Sequence, residues 1–445
     1  MTQPPLPKGA TRRQVMAGSF GAVALAATSG VGLYRGRHER PASYGQTVAM
    51  RSQHGPWRRT RQIVDRESLD ALLPGTRVLA GPEQRALLDA QEAWVDGLDL
   101  PPTVAGAPRD LFHQAALDLW VLSAGLPVAV AGWSPMWRHA WPRDTAHVAV
   151  AMHRIGDAEG ATRQLAALAE HVGSAPRIQA RYALDGGTPD PRPAQDDGFG
   201  WVLWAASCTL DSWRGTADEA GIRDLVSHCA SRALTRLDRD GLPLPSPDYW
   251  EVAESQLTLG TAAPLLAGLE HAVDLVGGEL QERCAAAALR LDRQVHATFG
   301  ARGWPRRIGG GASDTAIAWM LPPYRTSPPG EGRLRSALDV AAAQMSRANG
   351  GHAPGGDWRE DGVAWTPEST VLATVWATDP DSHDRARSML TWLGRHRTQA
   401  GSLPEKVRGD GSPAGPAPLA WTSALLLITG VDLSRWRDDH AQEDT

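Results

Sequence analysis

Tryptophan stands beside carboxylates or arginine in four segments that read as loops. The first is Trp137-Arg138-His139-Ala140-Trp141-Pro142-Arg143-Asp144, and the second is Pro193-Ala194-Gln195-Asp196-Asp197-Gly198. The third is Ser246-Pro247-Asp248-Tyr249-Trp250-Glu251. The fourth, Gly401-Ser402-Leu403-Pro404-Glu405-Lys406, is followed after a Gly/Pro turn by Leu419-Ala420-Trp421-Thr422-Ser423. Two of them carry a glutamate, in contrasting settings. Glu251 follows Tyr249 and Trp250, and aromatic burial raises a carboxyl pKa. Glu405 adjoins Lys406, and a nearby cation favours the ionised form. Cleavage of a glycosidic bond uses such a pair: a protonated carboxyl at the leaving oxygen and an ionised one across the sugar. When the second carboxylate activates water, the two lie about 6.5–9.5 Å apart and the anomeric centre inverts. Trp, at 18 residues, outnumbers Tyr and Phe, at 5 and 4. Most of these indoles are expected in the core, and several in a groove where sugar C–H faces stack on them.

Each residue also has a plainer reading. A lone loop glutamate is ordinarily solvated, and Glu254 lies close enough to Glu251 to be a rival acid. Arg143 and Asp144 could be a helix-opening ion pair, with Asp144 favoured by the helix dipole. Asp197 could be only an N-cap. His139 and His147 flank the Trp-Pro-Arg-Asp element and are expected as core or surface histidines.

The elements that must position these loops are helices. Ala158, Ala161, Leu165, Leu168 and Val172 repeat with helical spacing. So do Leu265, Leu269, Ala272 and Val276, and, after Gly277-Gly278, Leu280, Cys284, Ala287, Leu291 and Val295. Leu334, Leu338, Ala341 and Met345 form another run, while strand-like alternation is nearly absent. Roughly twelve helical segments fit between residues 80 and 430. Long Pro- and Gly-rich loops join them at 174–196, 237–256, 298–313, 346–364 and 398–416. Loops of that length are usually functional. The expected fold is all-α, an (α/α)6 barrel in which six hairpins form a toroid, with loops at one end making a funnel. Periodicity alone equally permits a helical solenoid, so the loops have to decide.

Taken together, the loop elements resemble glycoside hydrolase family 15, which contains glucoamylases, glucodextranases and some trehalases. The W-P-R-D, Q-x-D-G, D-x-W-E, L-P-E and L-x-W-[ST] elements follow in that family's order and spacing over about residues 110–430. The resemblance implies Glu251 as general acid and Glu405 as general base. It implies that Arg143 and Asp144 grip hydroxyls of the terminal sugar, that Trp141, Trp250 and Trp421 wall the pocket, and that Gln195 and Asp197 help shape it. Trp137 stands where the family commonly has a tyrosine. Gly351-His352-Ala353-Pro354 stands where starch-active members often have Arg-Tyr, which bears on leaving-side specificity. The resemblance also leads one to expect a bare catalytic domain, without β-sandwich or starch-binding module, suited to short soluble substrates.

Composition narrows the class further. The 445 residues carry a net charge of −5 and no dense basic stripe, which argues against nucleic acid as a partner. Cys208, Cys229 and Cys284 lie far apart in apolar contexts, and no Cys/His cluster has zinc spacing; no metal or organic cofactor is implied. Arg12-Arg13 ahead of the weakly apolar run Ala17–Leu33 resembles a twin-arginine export signal, cleaved or kept as a membrane anchor over residues 15–33. The expected organisation is 1–33 signal or anchor, 34–79 linker or N-terminal extension, 80–432 catalytic domain and 433–445 polar tail. The leading expectation is a secreted, monomeric, inverting exo-glycosidase that releases glucose from soluble α-glucosides or oligosaccharides. The alternatives are another α/α-toroid enzyme, such as a polysaccharide lyase, and a decayed glycan-binding protein of the cell envelope.

Overall fold

Five of the six inner positions are filled by helices that are buried over most of their length. These are Pro142–Arg154, Asp197–Cys208, Leu259–Ala272, Thr366–Trp376 and Ala420–Ala441. A computed structural model describes residues 43–53, 58–82 and 84–441, and Ser43 onward belongs to one compact unit. Residues 1–42 lie outside the described part, and with them the expected export segment. Each inner element packs on the next in chain order, and the last packs back on the first, which closes a ring. Outer helices pair with them: Ala158–Val172, Glu219–Thr235, Gly278–Thr298, Glu331–Met345, His383–Arg395 and Leu111–Ser123. The ring closure selects the (α/α)6 toroid over the open solenoid that periodicity alone allowed.

Inner and outer helices differ as their sequences require. In the inner helix Asp197–Cys208 every residue from Asp197 to Ala206 is buried. The outer helix Ala158–Val172 buries a stripe that includes Ala161, Leu165, Leu168 and Val172. Two inner helices touch backbone to backbone. A Cβ on Gly200 would lie 2.0 Å from the Pro264 carbonyl oxygen, and one on Gly268 would lie 2.5 Å from Gly200 Cα.

The fourth inner position departs from the pattern. It holds only the 3-10 segment Thr315–Met320, capped by Asp314, whose side chain accepts from Ala316 N–H. Leu321-Pro322-Pro323 follows, and prolines cannot donate the N–H groups that would continue a helix.

All six outer-to-inner connections are long: 124–141, 173–196, 236–258, 299–314, 346–365 and 396–419. They enter the N-termini of the inner elements, so five helix N-termini, with their partial positive charge, face one mouth. A small sheet splices two of these loops. Strand β4 (Ala364–Trp365) pairs with β5 (Lys406–Val407), β5 with β6 (Pro413–Pro416), and β6 in parallel with β1 (Ser43–Tyr44). Lys406 therefore lies opposite Trp365 on one side and Ala414 on the other.

Both flanks of the expected catalytic domain carry secondary structure. In the described part of residues 34–79, β2 (Thr47–Gln53) and β3 (Arg58–Val64) form an antiparallel hairpin, an ordered extension and not a bare linker. Val48 and Met50 join the main core, while Ala49, Val64 and Leu79 form a second small cluster. The apolar run Thr47–Met50 is short, sits among Gly, Arg and Gln, and is buried on both faces, so it lacks the alternation that marks a strand. Buried Arg77, paired with Asp118 at 2.7 Å, ties this extension to the outer helix Leu111–Ser123. At the other end, the expected tail from 433 is helix up to Ala441, with Leu433 buried.

Candidate active site

Loop 124–141 contacts both candidate glutamates. Trp141, at the N-cap of the first inner helix, donates its indole N–H to Glu251 Oε1 at 2.6 Å. Trp137 donates to Glu405 Oε1 at 3.2 Å. Glu251 holds a backbone φ of +55°, rare for a side chain of its size, and its N–H donates to Asp248 O at 2.7 Å. Gln195 Nε2 donates to the same Asp248 carbonyl at 3.0 Å, so Gln195 braces the turn that presents Glu251. Lys406 Nζ lies 3.0 Å from Glu405 Oε2 and 4.0 Å above the Trp365 ring. A Cβ on Gly415, whose φ is +74°, would stand 2.7 Å from Glu405 Oε2, so the bare backbone there makes room for the carboxylate.

The expected contrast between the two carboxylates is not realised in this state. Arg192 Nη1 pairs with Glu251 Oε2, so a cation compensates each of them. Arg192 lies in loop 173–196 and carried no motif that would have marked it.

Between the glutamates lie three buried acids at the first turns of inner helices. Asp144 pairs with Arg143 at 2.9 Å, yet burial, helped by the nearby Glu251 charge, pushes it up to about 6. Asp197 is raised to about 7, mainly by burial and also by the Asp248 charge, against the pull of Arg143. It is more than an N-cap: Asp196 occupies that position, while Asp197 accepts from Trp201 Nε1 at 3.1 Å and leaves Oδ1 unpartnered. Glu368 is raised to about 8 by burial and then by the Glu405 charge, against Arg143 and Lys406, and its Oε2 has no partner. Sequence reasoning missed Glu368. The signal was present, because Trp365-Thr366-Pro367-Glu368 opens an inner helix much as Trp141-Pro142-Arg143-Asp144 does.

Arg143 stacks over Trp421 at 4.2 Å and leaves Nε and Nη1 unpartnered. Trp421 Nε1, Asp197 Oδ1 and Glu368 Oε2 are also buried without partners. Buried polar atoms are normally satisfied. A cluster of donors and acceptors left open on helix N-termini is what a polyhydroxylated ligand would complete. Trp141, Pro142, Arg143, Gln195, Asp197 and Trp201 line one cavity there. Beneath it His147, buried and lowered to about 3 mainly by desolvation, bonds the Arg143 carbonyl through Nδ1 at 2.8 Å. Trp201, Trp204, Tyr324 and Trp421 pack around that imidazole at 4.9–5.8 Å and close the ring axis.

Trp250 is half-buried at the mouth, with Arg306 3.8 Å over its ring and Trp358 edge-on at 4.6 Å. Trp358 meets Trp365 at 5.4 Å. An aromatic wall thus runs from the neighbour of Glu251 to the tryptophan beneath Lys406. Arg306 and Arg307 both hold Glu254, at 2.8–2.9 Å. His139 is half-buried beside Trp141, with ring centroids 6.2 Å apart. Among the described residues no group of three or more His, Cys, Asp or Glu could hold a metal ion. No described helix is long and apolar enough to cross a membrane.

No protein family profile matches the chain. No curated protein sequence matches it. Solved structures do. A glycosidase variant in complex with glucose is 20% identical, with a TM-score of 0.63, covering 73% of this chain and 96% of that one. The glucoamylase from Saccharomycopsis fibuligera is 14% identical, with a TM-score of 0.56 and coverage of 80% and 96%. The cellobiose 2-epimerase from Spirochaeta thermophila is also 14% identical at 0.56, covering 80% and 100%. A fold shared by a glucoamylase and an epimerase leaves the reaction to the site. What the likeness shows is the fold: this chain is an (α/α)6 toroid of six hairpins.

Proposed function

We propose that the protein is a glycoside hydrolase, related to glycoside hydrolase family 15, that inverts configuration and releases one sugar at a time. The observation that carries this reading is the shared hold of loop 124–141 on Glu251 and Glu405 through Trp141 and Trp137. Glu251 would give its proton to the glycosidic oxygen as the bond to the anomeric carbon breaks. Glu405 would take a proton from water as that water's oxygen bonds the anomeric carbon from the opposite face. The Arg143 guanidinium and the buried acids Asp144 and Asp197 would bind the hydroxyls of the terminal sugar. Trp141, Trp250 and Trp421 would supply its apolar walls.

Exo action is part of the proposal: the aromatic cluster around His147 lies beneath Arg143 and would end the pocket at a terminal sugar. Glucose is the sugar we propose, in soluble α-glucosides or oligosaccharides. Neighbours of the same fold include the glycosidase in complex with glucose. We further propose that Arg12-Arg13 and the apolar run after them direct export of the protein, which then acts as a monomer outside the cytoplasm. Proton NMR of a fresh digest tests the mechanism. The first-formed anomer should be opposite to the substrate's, and retained configuration would remove the inverting assignment.

A further inference from the structure

We propose that Glu368 binds the hydroxyl on C2 of the terminal sugar and makes the site selective at that carbon. The inference rests on the reading of Glu251 and Glu405 as proton donor and proton acceptor.

Two buried acids hold matching places on the second and fifth inner elements, which face each other across the ring. Asp197 stands two residues after Gln195, whose amide donates to the Asp248 carbonyl at 3.0 Å. That carbonyl also receives the Glu251 N–H. Glu368 stands two residues after Thr366, whose N–H donates to the Glu405 carbonyl at 2.9 Å. Thr366 Oγ1 also lies 2.8 Å from Thr422 Oγ1, which ties the fifth inner helix to the sixth. Asp197 therefore belongs to the proton donor's side of the pocket and Glu368 to the proton acceptor's side. Arg143 interacts electrostatically with both.

Each of these acids keeps one oxygen, Asp197 Oδ1 and Glu368 Oε2, buried without a partner. Glu368 is only 4% exposed. The cations that act on it are held elsewhere, Arg143 by Asp144 at 2.9 Å and Lys406 by Glu405 at 3.0 Å. Burial pushes Glu368 up to about 8, so at neutral pH it is an uncharged acid that can both donate and accept. An open buried polar atom costs free energy until a ligand completes its hydrogen bond.

The chemistry names the ligand atom. Glu405 activates the water that attacks the anomeric carbon, so that carbon lies on the side of Glu368. Its two ring neighbours are the ring oxygen, which has no proton to give, and C2, which carries a hydroxyl. The C2 hydroxyl is the group that matches Glu368 Oε2. Hydrogen bonds to it strengthen as the oxocarbenium-like transition state forms, so Glu368 acts in turnover as well as in binding. A sugar without that hydroxyl leaves Oε2 unsatisfied.

The test uses 4-nitrophenyl α-glucosides and α-galactosides, each beside its 2-deoxy and 6-deoxy form. Turnover is measured on the wild type, and binding by calorimetry on the inactive Glu251→Gln protein. Glu368→Met, apolar and of similar length, should lower kcat/KM and affinity for the parent sugar of one series at least about 10-fold. The 2-deoxy compound should change by less than about 2-fold, and the 6-deoxy compound should lose as much as the parent. The intrinsic reactivity of the deoxy sugars cancels in this ratio of ratios. Glu368→Gln keeps a donor and an acceptor and should retain most of the preference. Equal losses on parent and 2-deoxy sugar in a variant that melts as a folded protein overturn the proposal. So do a loss that depends on the C6 hydroxyl instead, binding of neither series, or a Glu368→Gln variant as weak as Glu368→Met. Hydrolysis without the C2 coupling leaves the hydrolase reading intact while removing this one. Coupled binding without turnover by the wild type does the reverse.

Discussion

Trp137 and Trp141, four positions apart in one loop, donate their indole N–H groups to different carboxylates, Glu405 at 3.2 Å and Glu251 at 2.6 Å. The glutamates are 154 positions apart in the chain, yet one short segment sets the placement of both. Loop 124–141 therefore acts as the common reference for the two carboxylates.

Replacing either glutamate should remove the chemistry. Glu251→Gln and Glu405→Gln keep shape but lose the proton to give or the charge to receive it. Each should lower kcat by about 10²–10⁴ or more, with little change in melting temperature. Steady-state kinetics on an active glycoside checks this; near-wild-type turnover in either variant takes that residue out of the mechanism.

Phenylalanine at the two tryptophans keeps the wall and deletes the N–H. A hydrogen bond to a charged group contributes about 1.5–3 kcal/mol. Trp141→Phe and Trp137→Phe should each lower kcat/KM by about 10–100-fold. Unchanged kcat/KM in both would mean that the loop does not position the carboxylates.

Asp144, Asp197 and Glu368 are raised to about 6, 7 and 8 from ordinary values of 3.8, 3.8 and 4.5. Between those values the folded protein binds more protons than the unfolded one. Stability is then full at the acid side and lost as pH rises from about 4 to about 8. Glu368→Gln, neutral at every pH, should flatten the upper part of that decline. Melting temperature followed from pH 5 to 8 for both proteins checks it; parallel curves would contradict the assignment.

Asp118 is fully buried and accepts from Arg77 at 2.7 Å, Ser402 at 2.7 Å and the Leu403 N–H at 3.1 Å. Asp118→Ala leaves Arg77 as an unpaired buried charge. It should cost about 3–5 kcal/mol in denaturant titration and loosen both the N-terminal hairpin and the turn before Glu405. A loss below about 1 kcal/mol would show that water reaches Arg77.

Much of this protein was legible in its residues. Helical periodicity, with long loops recurring at a regular interval, marked the toroid, and Pro or Asp at the openings marked where inner helices begin. The glutamates, Trp141, Arg143 and Asp144 announced themselves because local chemistry and order along the chain carry that kind of signal. Glu368 was within reach, since its helix opening repeats the Trp and Pro of the first. The hairpin at 47–64 was not, because a few residues buried on both faces lose the alternation that betrays a strand. Nor was the cation at Glu251. Which arginine meets which carboxylate depends on how two loops fold over the ring mouth, about 60 positions apart in the chain. Periodicity is a property of neighbours along the chain, whereas charge compensation is a property of neighbours in space, and only the closed ring brings Arg192 to Glu251.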